Sequence, residues 1–139
     1  MTQENKELLL KDLCARFPYG VKVNAADKYI STISSINIGT IALIFLKDVG
    51  PVFGIDDVKP YLRPMSSMTE EEYGQYMEFI EWSHNDYDGT TITCINKERF
   101  REYLNFIYSH HLDDNNFIKN GLALELPEGM YKRIDHDNN

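Results

Sequence analysis

Residues 29–46 read YISTISSINIGTIALIFL, and the fold turns on how this stretch is divided. Its first ten residues are rich in Ile, Ser and Thr. Ile30, Ile36 and Ile38 fall on one alternation face, and Tyr29 and Ile33 on the other. After Gly39 the run TIALIFL is apolar at nearly every position, the pattern expected of a strand covered on both faces. A tight connection at Ile38-Gly39-Thr40 predicts that the two runs form an antiparallel hairpin.

Short apolar–polar runs flank this hairpin. VKVN (21–24) alternates before it, and the turn DVG (48–50) leads after it into a short strand at PVFGI. Such short connections favour a meander over crossovers. Further out, ENKELLLKDLCARF carries Leu10, Leu13, Cys14 and Phe17 at i, i+3, i+4 and i+7, predicting a helix over about 3–16 that Pro18 and Gly20 stop.

On the other side, DDVKPYLRPMSSM holds Pro60 and Pro64 and cannot be one regular helix. Ser67 with Glu70, or Thr69 with Glu72, has capping-box spacing for a second helix. Tyr73, Tyr76, Met77 and Ile80 continue the helical spacing and extend it to about residue 83. NDYDG (85–89) is a turn, TTITCI a strand, and Asn96 the cap of a third helix with the stripe Phe100, Tyr103, Leu104 and Ile107. Gly121 ends a short turn around NNFIKN, and LALEL is a last strand. The expectation is one α+β domain over 1–131, with a sheet of about four strands in a meander and about three helices, followed by a polar tail at 132–139.

Composition narrows function. A net charge of −8 repels phosphates and anionic lipid, which argues against general nucleic-acid or membrane-surface binding. The same acidity suits a basic protein partner or mimicry of nucleic acid. Cys14 and Cys94 have no metal-ligand spacing. MTQENKELLLK lacks the basic and apolar regions of a signal peptide, and IALIFL (41–46) is far shorter than a membrane span of roughly 20 residues. These features point to a reduced, cytoplasmic protein.

VKPYLRPMSSMTEEE (58–72), LCARFPYGVKV (13–23) and HHLDDNNFIKNGLALELPEGMY (110–131) resemble a family of small proteins encoded by gut anaerobic bacteria and, in part, by their phages and mobile elements. The resemblance is good at both ends and through residue 72, and poor over roughly 73–100. It implies a shared domain and a mobile-element origin, and brings no activity, ligand or catalytic residue with it.

The most chemistry-rich string is YSHHLDDNN (108–116). Helical geometry extended through it places His111 in the apolar stripe with Leu104 and Ile107 and His110 on the rim, so the adjacent histidines are poor joint ligands. His110 with Asp114 is the better metal pair, and Asp113 or Asp114 is a cap for the next turn. NDYDG lacks the first and last carboxylates of a calcium loop. No nucleophile elbow, phosphate loop, dinucleotide fingerprint or HExxH occurs. Cys94 reads as a small core residue.

Glu70, Glu71, Glu72, Glu78 and Glu81 accumulate with no Lys or Arg between Met68 and His84. The first three favour the start of the helix, and Glu78 and Glu81, one turn apart, form an acidic face. Tyr73, Tyr76, Tyr103 and Tyr108 are expected to bury their rings, and exposure of several would mark an interface. The leading reading is a non-catalytic module, without cofactor, that binds a protein through Glu78, Glu81, Trp82, Tyr73 and Tyr76. The alternatives are a metal-dependent or acid–base enzyme using His110, His111, Asp113 and Asp114, and a structural or assembly component.

Overall fold

The computed structural model describes residues 1–84 and 87–131. The first helix, α1 (Gln3–Arg16), starts where Thr2 Oγ1 accepts the Asn5 N–H and gives way to a 3-10 turn at Phe17–Tyr19. Strands β1 (Lys22–Ala25), β2 (Tyr29–Ile38), β3 (Ala42–Leu46) and β4 (Val52–Phe53) follow as the expected antiparallel meander. The hairpin between β2 and β3 forms as expected, but it turns at 39–41, one residue beyond the expected connection.

The sheet then grows beyond the meander. The proline-bearing stretch forms β5 (Val58–Pro64), which pairs antiparallel with β1. The Ala26 N–H donates to the Asp57 carbonyl, 2.8 Å, which fixes the alternation along this pair. Val23–Pro60 therefore takes a non-hydrogen-bonded position, and proline's missing N–H costs no bond to β1. Two short strands, β8 (Leu112–Asp113) and β9 (Leu124–Glu125), pair with β5 in parallel. The result is a seven-stranded mixed sheet in the order β4-β3-β2-β1-β5-β8, with β9 also on β5.

Between β5 and β8 lie α2 (Glu70–Met77), a separate hairpin of β6 (Ile80–His84) and β7 (Thr91–Ile95), and α3 (Phe100–Ser109). The cap of α2 is the Thr69–Glu72 box. The helix does not run to residue 83. Ile80 and Trp82 alternate with Glu81, and pairing with the β-favouring run at 91–95 outweighs continued helical spacing. Asn96 caps a 3-10 turn at Lys97–Arg99 that leads into α3. Asn85 and Asp86 of NDYDG, and the tail 132–139, lie outside the described residues.

Two apolar clusters result. One joins Leu9 and Leu13 of α1 to Val23, Ile33, Ile44, Val58 and Leu62 of the sheet, closed by Phe117 and Leu122. The other gathers Phe79, Tyr103, Phe106, Ile107 and Leu112, with Tyr76 and Ile95 against it. The buried face of α1 is Leu9, Asp12, Leu13 and Arg16, while Phe17 is exposed, so the stripe is rotated from the expected one and contains an ion pair. The run TIALIFL is covered on one face only: Ile44 and Leu46 are buried, Leu43 is exposed and Phe45 half-buried. Cys94 is exposed, so it is no core residue.

Candidate functional site

The histidine–aspartate string does not converge on one point. Helix α3 ends at Ser109, and His111 adopts a left-handed conformation with φ of 57°. That turn carries His111 out of the Leu104–Ile107 stripe and onto Tyr131, with ring centroids 3.6 Å apart and planes 14° from parallel. Burial, then the Arg16 charge, lowers the His111 pKa to about 4, so the ring is neutral at ordinary pH.

His110 caps α3. Its Nδ1 lies 2.8 Å from the Phe106 carbonyl and therefore donates to it, leaving Nε2 facing Glu72 Oε2 at 3.8 Å. Glu72 is already engaged. Arg63 donates to both its oxygens, at 2.7 and 2.9 Å, and the Thr69 N–H donates to Oε1 at 2.8 Å. Chiefly through the Arg63 hydrogen bonds, the Glu72 carboxyl is held down at about 2. Arg63 also donates to the Ser67 carbonyl, 3.1 Å, so one guanidinium ties β5 to the start of α2.

Of the two candidate caps, it is Asp113 that caps the following turn: its carboxylate accepts from Phe117 N–H at 2.9 Å and Ile118 N–H at 3.0 Å. Asp114 turns towards α1 instead of His110. Its Oδ1 lies 3.8 Å from Arg16 Nη2. Arg16 is fully buried, donates to Asp12 at 2.7 Å and to the Leu112 carbonyl at 2.7 Å, and lies 5.1 Å from the centre of the Tyr108 ring. Burial raises the pKa of both Asp12 and Asp114 against the opposing pull of Arg16. Asp12 and Arg16 were missed in the sequence because charged residues on a helix read as its solvent face. Their i, i+4 spacing was the available signal. Among the described residues, no group of three or more His, Cys, Asp or Glu side chains is arranged to hold a metal ion.

Of the aromatic and acidic candidates, Tyr73, Glu78, Glu81 and Trp82 are exposed, on α2, just after it and on β6, while Tyr76 is half-buried. Tyr73 on α2 is 53% exposed and Trp82 on β6 is 63% exposed. Tyr73, Tyr76, Tyr103 and Phe100 form a continuous run of rings, with successive centroids 6.1–6.3 Å apart. Its inner members anchor on the second cluster, and its ends, Tyr73 and Phe100, reach solvent. Trp82 shares a strand face with Ile80, whose partner Ile95 packs on the same cluster, so the apolar side of the hairpin continues outward to the indole.

Glu78 and Glu81 are both exposed but do not form one helical face, since α2 ends at Met77. Glu81 accepts from Asn96 Nδ2 at 2.7 Å across the hairpin base. No Lys or Arg occurs between Arg63 and Lys97. Residues 1–63 carry eight Lys/Arg against seven Asp/Glu, a net of +1. Residues 64–139 carry six against fifteen, a net of −9. The charge of the chain is therefore concentrated in the half that displays these rings. No known protein family, curated protein or solved structure matches the chain.

Proposed function

We propose that the chain is a non-catalytic binding module whose acidic, aromatic surface on α2 and the β6–β7 hairpin takes a basic protein segment. The observation that carries this reading is the exposure of Tyr73 and Trp82 within a stretch free of Lys and Arg. Exposed aromatic rings rooted on a packed cluster are rigid anchors that lose little side-chain entropy on binding. Carboxylates around them attract lysine and arginine, and the ring faces add cation–π attraction.

The unpaired cysteines, Cys14 and Cys94, fit a reducing compartment, and a cytoplasmic location is part of the proposal. So is a phage or mobile-element origin, on the strength of the resemblance at 58–72 and 110–131. Among the described residues no helix is long and apolar enough to cross a membrane. The enzyme reading draws no support from the string at 108–116, whose two histidines and two aspartates have separate structural partners.

Retention of partners by the immobilised chain tests the proposal. Trp82→Ala and Glu78→Lys/Glu81→Lys variants should each lose the proteins that the parent retains at low salt, while melting at nearly the parent temperature. Retention of the same set by all three chains would refute it.

A further inference from the structure

The face of the sheet turned away from α1 gathers cations that the acidic surface does not use. Val23, Ala25, Val58 and Leu62 pack in the cluster that holds Leu9 and Leu13 of α1. Alternation therefore turns Lys22 and Asn24 of β1, and Lys59 of β5 opposite Asn24, to the other side. Thr32 pairs with Lys22, and on its far flank the Lys47 N–H donates to the Thr32 carbonyl at 2.9 Å. Leu46, just before it, is buried in the core, so Lys47 shares the face of Lys22 and Thr32. Strand spacing sets the backbones of Lys22 and Lys47 roughly 10 Å apart. Lys59 lies diagonally across the β1–β5 pair from Lys22, at about 7–8 Å.

Like charges so placed repel, and the sheet holds nothing to offset them. Strands β1 to β5 contain no Asp or Glu. Among the described residues none of the three lysines forms an ion pair, although Asp27 and Asp48 occupy turns nearby. The chain has 22 Asp and Glu for 14 Lys and Arg, so three unpaired lysines on one sheet face mark a place for an outside anion. Beside them Leu43 and Phe45 of β3 and Val52 of β4 continue the same face, with Leu43 39% and Val52 43% exposed. We infer that this face binds an acidic protein segment, whose carboxylates meet Lys22, Lys47 and Lys59 and whose apolar side chains cover Leu43, Phe45 and Val52.

The spread of the lysines calls for an extended ligand, and its apolar border calls for one with apolar side chains. Single-stranded nucleic acid would need exposed rings on which to stack its bases. Here Phe45 is half-buried and Tyr61, beside Lys59 on β5, is buried. A long polyanion or an anionic lipid surface also meets the whole net charge of −8. A short segment responds mainly to charges within a Debye length of about 8–10 Å, where the lysines dominate. The site is of opposite charge to the Tyr73 and Trp82 surface, so the two are tested independently.

Calorimetric titration of the full chain with a synthetic amphipathic peptide of Glu, Ala and Leu tests the inference. Binding should saturate, weaken with salt, and fall roughly tenfold or more in a Lys22→Glu/Lys47→Glu variant that melts near the parent temperature. Trp82→Ala should bind as the parent does. On the unmodified chain, amide NMR shifts should move at Lys22, Thr32, Lys47 and Lys59, a readout that needs no variant. Absence of binding, or affinity indifferent to the charge reversal, would overturn the inference. So would equal affinity for an all-Glu peptide, or a chain that takes oligo(dT) or phosphatidylserine vesicles but not the peptide. A dimeric mass that the double variant abolishes would overturn it too, by assigning the face to a second copy.

Discussion

Replacing Glu72 by glutamine tests how the two halves of the molecule are joined. Glu72 is buried, takes two hydrogen bonds from Arg63, and belongs to the capping box of α2. Its carboxyl pKa falls from 4.5 to about 2 on folding, chiefly through Arg63. That difference corresponds to about 3 kcal/mol at neutral pH, at about 1.4 kcal/mol per unit. A glutamine oxygen still accepts the Thr69 N–H but holds Arg63 without charge, so Glu72→Gln should cost about 2 kcal/mol at pH 7. With a slope near 2 kcal/mol per molar urea, the unfolding midpoint should drop by roughly 1 M.

The pH dependence has a definite sign. A carboxyl with a depressed folded pKa stabilises fully above its unfolded value, and that contribution disappears as pH falls through the folded one. The gap between parent and variant should therefore be largest above pH 4.5 and close as pH approaches 2. Urea unfolding of both chains at pH 7, 4 and 2.5 measures it. A gap of the same size at every pH would show that the Glu72 charge contributes nothing and would refute the reasoning.

Two further substitutions probe the remaining polar ties. Arg16→Met leaves Asp12 buried without its partner and should cost about 3–5 kcal/mol, while a combined Asp12→Leu/Arg16→Met change should recover most of the loss, both read from urea midpoints. Asp113→Ala removes the acceptor for Phe117 N–H and Ile118 N–H and should cost about 1–3 kcal/mol, with faster amide exchange at those two residues.

Local signals are legible where neighbouring residues decide the structure. The bounds of α1 and the β2–β3 hairpin are local and form as read, while the Thr69–Glu72 box and the Asp113 cap are each one of two local alternatives that the sequence offers. The misreadings have a common cause in distant partners. Pro60 masked β5, because its permitted position depends on the register with β1. Helical spacing ran past Met77, because β6 exists only by pairing with β7. His111 left its stripe where the chain turns left-handed to meet Tyr131, twenty residues on. The α1 stripe was rotated because Asp12 and Arg16 are buried by each other and by the Leu112 carbonyl, 96 residues from Arg16.

The acidic aromatic surface was legible in composition, through Trp82, Tyr73 and the glutamates, but not in geometry. A single helix was expected where a helix and a hairpin together display those residues. The exposed face of β3 was hidden for a different reason. Apolar residues at nearly every position of 40–46 suggested a strand covered on both faces, yet Leu43 and Ile41 are exposed.

Trp82 is the chain's single tryptophan and belongs to the proposed binding surface, so its fluorescence reports on that surface. Titration with an Arg- and Lys-rich polypeptide at low salt should quench or blue-shift the emission in a saturable way. High salt should abolish the change, and Glu78→Lys/Glu81→Lys should weaken it. Emission that stays constant throughout the titration, or a change indifferent to both salt and the charge reversal, would contradict the account.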